Sequence, residues 1–190
     1  EVSLNTRIFQ APGYTEAMER LRVHSVTTAH ICRELSKPLG VDGELAFLLG
    51  LLHDVGIAGA CVALSEMPDR PPIETAWPAV VRVHQEASGA LARLWRLPAK
   101  LQMLLANHHS VMINGKPDSL AALLCISERF AFELAPLVGS DPSTPERPRM
   151  MPGKDLSPPE VLKRACKILR VDGSKWKRLR ARAKQAAERV

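Results

Sequence analysis

Aromatic residues are scarce. They make up 4% of the 190-residue chain, while leucine and alanine abound. That balance favours helices over strands. No alternating apolar–polar segment marks a strand, and no internal repeat is present. No uninterrupted apolar run reaches the roughly 18 residues of a membrane-helix candidate, so no spanning segment is expected. A secretory signal is also missing, which points to the cytoplasm. The four cysteines (Cys32, Cys61, Cys125 and Cys166) lie far apart, with no Cys-x-x-Cys pair. We therefore expect reduced thiols rather than disulfides or zinc ligands. The chain begins at Glu1 without a methionine, as a fragment of a longer protein would.

Charge is unevenly spread. The formal net charge is +6, but residues 154–190 hold twelve Lys/Arg against four Asp/Glu. Basicity therefore belongs to the C-terminal segment and leaves the remainder slightly acidic.

Against this background one stretch stands out, Leu45-Ala46-Phe47-Leu48-Leu49-Gly50-Leu51-Leu52-His53-Asp54-Val55-Gly56. Its length and its Asp42 cap predict a buried helix over about 43–55, central to a bundle, with Gly56 as its left-handed stop. Imidazole and carboxylate side by side at the end of such a helix need a partner. That partner is a hydrogen bond between the two or a metal ion, for which both are ready ligands.

The other elements follow from spacing and punctuation. A helix from Thr15, its cap, to about Lys37 carries Met18, Leu21, Ser25, Thr28, Cys32 and Leu35 as one stripe, and Pro38-Leu39-Gly40 ends it. Further helices are expected at about 60–67, 78–95 (with Pro78 in its first turn), 99–109, 119–134, 157–170 and 174–190. Residues 110–118, with Asn114-Gly115, read as a loop. The expectation is an all-α helical bundle. Residues 1–137 form the main domain, 138–156 a Pro-rich loop that is a lid or disordered, and 157–190 basic helices packed on the same domain.

Hairpin geometry then groups the six histidines. Antiparallel helices place residues level when these are equidistant from the turn. Reflection through Leu39 sets His24 opposite His53-Asp54. Reflection through the turn near Leu97-Pro98 sets His84 opposite His108-His109. Two hairpins thus each bring a lone histidine to a doublet, which favours metal. His30 lies about 240° round the helix from His24, at roughly 100° per residue, and reads as a core or surface histidine. A two-metal site also needs carboxylate. Asp54 can bridge, and Glu128, interrupting an apolar helix, is the second candidate, with an ion pair as its alternative role.

His24-Ser25, Leu51-Leu52-His53-Asp54-Val55-Gly56, His84 and Asn107-His108-His109 together resemble the HD superfamily of metal-dependent phosphohydrolases. The wording of Gly50–Gly56 and Arg96–His109 is most similar to its HDOD branch, bacterial signal-output domains of all-helical fold. The likeness runs over about residues 15–135, and HDOD proteins usually carry a further helical half upstream. The resemblance implies that His24, His53, Asp54 and Glu128 hold one metal. Asp54 would bridge to a second, held by His84, His108 and His109 as in the HD-GYP phosphodiesterases of cyclic dinucleotides.

Three positions depart from the family pattern. Glu128 stands where the family has Asp, and Ile57-Ala58 where active enzymes usually carry a lysine. Ser110-Val111-Met112-Ile113 follows His109 in place of Gly-Tyr-Pro. The leading expectation is therefore a signalling domain with one or two divalent transition ions (Fe, Mn, Co or Zn), acting through a signalling protein or a small nucleotide ligand. The alternative is an active phosphohydrolase with His53 and Asp54 as its catalytic pair. A third reading, nucleic-acid binding through Lys175, Lys177, Arg178, Arg180, Arg182, Lys184 and Arg189, is weaker. Trp176, Leu179, Ala183, Ala186 and Val190 repeat at helical spacing there and suit a packed terminal helix.

Overall fold

A computed structural model describes residues 10–134 and 158–190. Among these residues are eight helices and one two-stranded ribbon: α1 Thr15–Leu39, α2 Gly43–Leu52, α3 Val55–Ser65, α4 Ile73–Leu94, α5 Ala99–Ala106, β1 Met112–Ile113, β2 Lys116–Pro117, α6 Ser119–Leu134, α7 Pro159–Ile168 and α8 Gly173–Ala187. The protein is an all-α bundle. The expected Pro-rich loop at 138–156 lies outside the described residues.

The stripe expected on α1 is buried at every position, from Met18 to Leu35. Tyr14, not Thr15, occupies the N-cap, without a side-chain cap bond. Gly40 ends the helix in the left-handed conformation, as the Pro-Leu-Gly punctuation implied. Asp42 caps α2 by accepting from the N–H groups of Glu44 and Leu45.

The single helix expected over 43–55 is two. α2 stops at Leu52, and α3 starts at Val55 and runs to Ser65, taking in the expected 60–67 helix. Gly56 is not a left-handed stop but lies inside α3. Nor is α2 the central helix, since Leu45, Phe47, Leu48 and Leu52 are only partly buried. That place belongs to α6, in which every residue from Leu120 to Glu128 is buried. Gly43–Ser65 taken together is long and apolar enough to cross a membrane by length and composition, which a search for unbroken apolar runs overlooks. Most of it is buried inside the bundle.

α4 begins at Ile73 after Pro71-Pro72, so Pro78 lies inside it and not at its first position. Ala76, Val80, His84, Ser88 and Ala92 are all buried at four-residue spacing and carry one packed stripe straight past the proline. α5 ends at Ala106, three residues earlier than expected. The loop at 110–118 contains a short hairpin, because Asn114 (φ 50°) and Gly115 (φ 73°) form the left-handed turn that closes two-residue ribbons.

The basic helix α8 packs on α1 and α6. Leu179, Ala183 and Ala186 are buried, and Trp176 meets Phe130 with ring centroids 4.5 Å apart. Val190, expected on the same stripe, is exposed. Arg182 bonds Glu34 at 2.9 Å and Arg180 bonds Glu133 at 3.2 Å. None of the four cysteines is in a disulfide.

The apolar side chains form two clusters. One contains Tyr14, Met18, Leu21, Ile57, Ala58, Cys61 and Val80. The larger contains Ile31, Leu35, Leu49, Ala92 and the buried face of α6. Between these sets lie His24 on α1, Asp54 in the α2–α3 break and His84 on α4, so the polar centre lies at the seam of two cores.

Candidate metal centre

Both polar doublets sit at breaks between helices. Successive residues in an α-helix point about 100° apart, so side-chain reach as well as backbone direction must bring a doublet to a common point. His53 and Asp54 fall between α2 and α3. His108 and His109 follow α5 in a turn closed by the Ser110 N–H donating to Asn107 C=O. Both members of each doublet face the same centre.

Asp54 is the hub. Its Oδ2 is 3.1 Å from His53 Nε2 and 3.8 Å from His24 Nε2. Its Oδ1 is 3.4 Å from His108 Nε2 and 3.8 Å from His84 Nε2. His84 Nε2 in turn lies 2.9 Å from His109 Nε2 and 3.1 Å from His108 Nε2. Two groups of three result, His24–His53–Asp54 and His84–His108–His109, each with its donor atoms within 4.8 Å of one another. Glu128 is buried at the same centre, with Oε1 3.9 Å from His109 Nδ1, but belongs to neither group of three. His30 stays apart, edge-on to Phe47.

Ring orientation is set from behind. His53 Nδ1 donates to Gly50 C=O, His84 Nδ1 to Val81 C=O and His108 Nδ1 to Leu105 C=O, each three residues back. A carbonyl only accepts, so Nδ1 carries a proton, and a ring with no second proton presents its Nε2 lone pair to the centre. The lone pairs of His84 and His108 then face each other at 3.1 Å, an arrangement that calls for a cation between them. The Nε2 atom of His24 is buried and makes no hydrogen bond, whereas buried polar atoms are nearly always paired. The residues therefore fit divalent metal: imidazoles and one carboxylate, pre-oriented around a common centre.

Titration follows the same geometry. Burial, helped by His53, holds His24 down at about 4. Burial, with His108 next, holds His109 down at about 3. Burial acts in the same direction on His53 but is overcome by the Asp54 carboxylate, which lifts it to about 9. Burial would raise Asp54, yet the neighbouring imidazoles keep it well below the usual carboxylate range.

These shifts have opposite consequences for stability. Below about pH 6.5 the unfolded chain takes up protons that buried His24 and His109 refuse, so stability falls as pH drops towards 4. The contribution of His53 is complete below about 6.5 and is lost as pH rises through 9. Metal-free protein should therefore be most stable near pH 6.5. Bound metal should remove the alkaline decline, since Nε2 of a ligated His53 carries no proton to lose. Urea titrations from pH 4 to 9, with chelator and with metal, check this, and an alkaline decline unchanged by metal would count against ligation of His53.

A residue that spacing alone did not single out is Ser88. Its Oγ accepts from the Gly56 N–H at 2.9 Å and donates to His53 C=O at 2.8 Å. The available signal was a serine four residues beyond His84 on an otherwise apolar stripe.

An all-helical bundle with a buried His/Asp centre split over helix breaks defines an HD-type domain. The HDOD-domain profile matches residues 1–111, and the chain belongs to that family. The match includes His24 to His109 and ends before Glu128, short of the residue 135 expected. No curated protein and no solved structure gives a significant match.

Proposed function

We propose that this is an HDOD-type domain of bacterial signal transduction that retains an HD-type dinuclear metal centre and acts by binding a signalling protein or a small nucleotide ligand. The observation that carries the metal reading is a single buried carboxylate whose two oxygens face separate groups of histidines. One carboxylate facing both groups would suit a two-metal site, whose ions lie close together. Mixed imidazole and carboxylate donors suit iron, manganese, cobalt or zinc.

Regulation is favoured over catalysis by the residues after Gly56. Ile57 and Ala58, at the position where active relatives usually carry lysine, are buried against Tyr14 and Met18 in the smaller core. No cation reaches the centre from there. A specific observation also supports the second reading, a working phosphohydrolase: all six imidazole and carboxylate groups of the two sets converge. Bound metal would supply Lewis acidity and lower the pKa of water. His24, His53 and Asp54 would hold one ion and His84, His108 and His109 the other, with Glu128, expected on the first ion, buried beside His109 and near enough to His53 to raise its pKa.

Metal analysis followed by an activated-phosphodiester assay separates the readings. We expect uptake of one or two ions per chain, with turnover no higher than that of His53→Ala. Turnover at least tenfold above that variant would move the assignment to phosphodiesterase. Failure to take up iron, manganese, cobalt or zinc would remove the metal reading altogether.

A further inference from the structure

The two ligand groups come from different parts of the chain, and their spacing must be held by something. His53 and Asp54 lie in the α2–α3 break, and His84 lies on α4. α3 approaches α4 so closely that a Cβ at Gly56 would stand 2.0 Å from His84 C=O and 2.6 Å from the Ser88 N–H nitrogen. At that contact Ser88 is fully buried, and its hydroxyl spends both capacities on the break: it accepts from Gly56 N–H and donates to His53 C=O. Ser88 is one helical turn beyond His84 on the same face of α4, so any shift between them must move α4 itself.

We propose that Ser88 is a positioning residue that sets the distance between the two ligand groups, so that Asp54 spans both. It touches no ligand atom of the centre. It fixes the backbone that carries His53 and Asp54 against the helix that carries His84. Without the hydroxyl, the His53 carbonyl and Gly56 N–H lose their partner in a dry contact and the break can move relative to α4. Each group keeps its own donors. What is lost is the sub-ångström agreement that lets one carboxylate serve two ions, and outer-shell losses of this type lower metal affinity about 10–100-fold.

The inference rests on the dinuclear reading above, and the experiment distinguishes the two. Metal-free full chain is titrated with Mn(II) and followed by electron paramagnetic resonance. In the parent, a second equivalent should replace the isolated-ion signal with that of a coupled pair. Ser88→Ala should bind the first ion within about threefold of the parent and the second at least tenfold more weakly, with the coupled signal reduced. Ser88→Cys, which keeps a small donor and acceptor, should fall between them and serves as the deciding variant if Ser88→Ala does not fold. Leu179→Ala on α8, outside both ligand groups, provides a variant destabilised by lost packing alone, and its second-ion affinity should stay at the parent value. Parent protein that never forms a coupled pair overturns the dinuclear reading. A coupled parent whose Ser88 variants match it overturns the role of Ser88, as does an equal loss in Leu179→Ala.

Discussion

Asp54→Asn should lose metal affinity by more than about 100-fold, beyond the ~10–100-fold typical of removing an outer-shell partner. The reason is that Asp54 serves both groups at once: Oδ2 faces His53 and His24, and Oδ1 faces His108 and His84. An amide offers one neutral oxygen and cannot face both. His84→Ala removes a donor from only one group, so it should leave one ion bound. Calorimetric titration of chelator-treated protein with Mn(II) or Zn(II) reads both results. Comparable loss in the two variants would contradict a bridging role. Misfolding is not expected to confuse the comparison. Breaking a buried ion pair typically costs about 3–5 kcal/mol when a charge is stranded, but His53 can shed the proton that Asp54 now stabilises. Thermal melts of metal-free protein should therefore show cooperative unfolding for parent and variant alike.

Gly56→Ala should be the most destabilising single-methyl change among the described glycines. Two effects oppose one another. Alanine in a helix interior is better than glycine by about 1 kcal/mol. Against that, the new Cβ would meet His84 C=O at 2.0 Å, the Ser88 nitrogen at 2.6 Å and Ser88 Oγ at 2.8 Å. Two of these are backbone atoms, so α3 and α4 must separate. Overpacking a core typically costs about 1–3 kcal/mol and occasionally more, and contact with rigid backbone belongs at the top of that range. We expect a net loss of about 3 kcal/mol by urea unfolding, together with weaker binding of the second ion because His84 moves with α4. Gly173→Ala is the matched control. Nothing lies within 4 Å of its added methyl, so the change should be neutral or stabilising by less than about 1 kcal/mol. Gly56→Ala as stable as the parent would show that the α3–α4 contact is looser than described here.

The way the expectation for Gly56 went wrong is instructive. Glycine after a long apolar run reads as a helix stop, and local pattern offers no way to distinguish that from a glycine needed for close helix contact. The partner atoms, His84 C=O and the Ser88 backbone, lie about thirty residues away in sequence. The same applies to α2, whose apolar run resembles the centre of a bundle although the helix is only partly buried. Periodicity reports how much apolar surface a helix has, not how many neighbours cover it, and α6 is enclosed by α1, α2, α7 and α8. Pro78 misled for a related reason, because a buried stripe from Ala76 to Ala92 outweighs one missing N–H in the second turn.

Much was nonetheless present in the residues themselves. The all-α class follows from composition and from three-to-four spacing, which are local properties of the chain. The reflection of His24 onto His53-Asp54, and of His84 onto His108-His109, needs only two short turns and the fixed rise of a helix. The structure brings both sets together. The tertiary structure alone decided how the sets meet. It put both doublets at helix breaks, brought their side chains to one centre, and joined the two sets through the oxygens of Asp54. It placed Glu128 beside His109, outside both groups of three, and Ser88 behind the His53 carbonyl. Those relations depend on distances between helices, set by side-chain volumes packed across interfaces, and no spacing along a single chain encodes them.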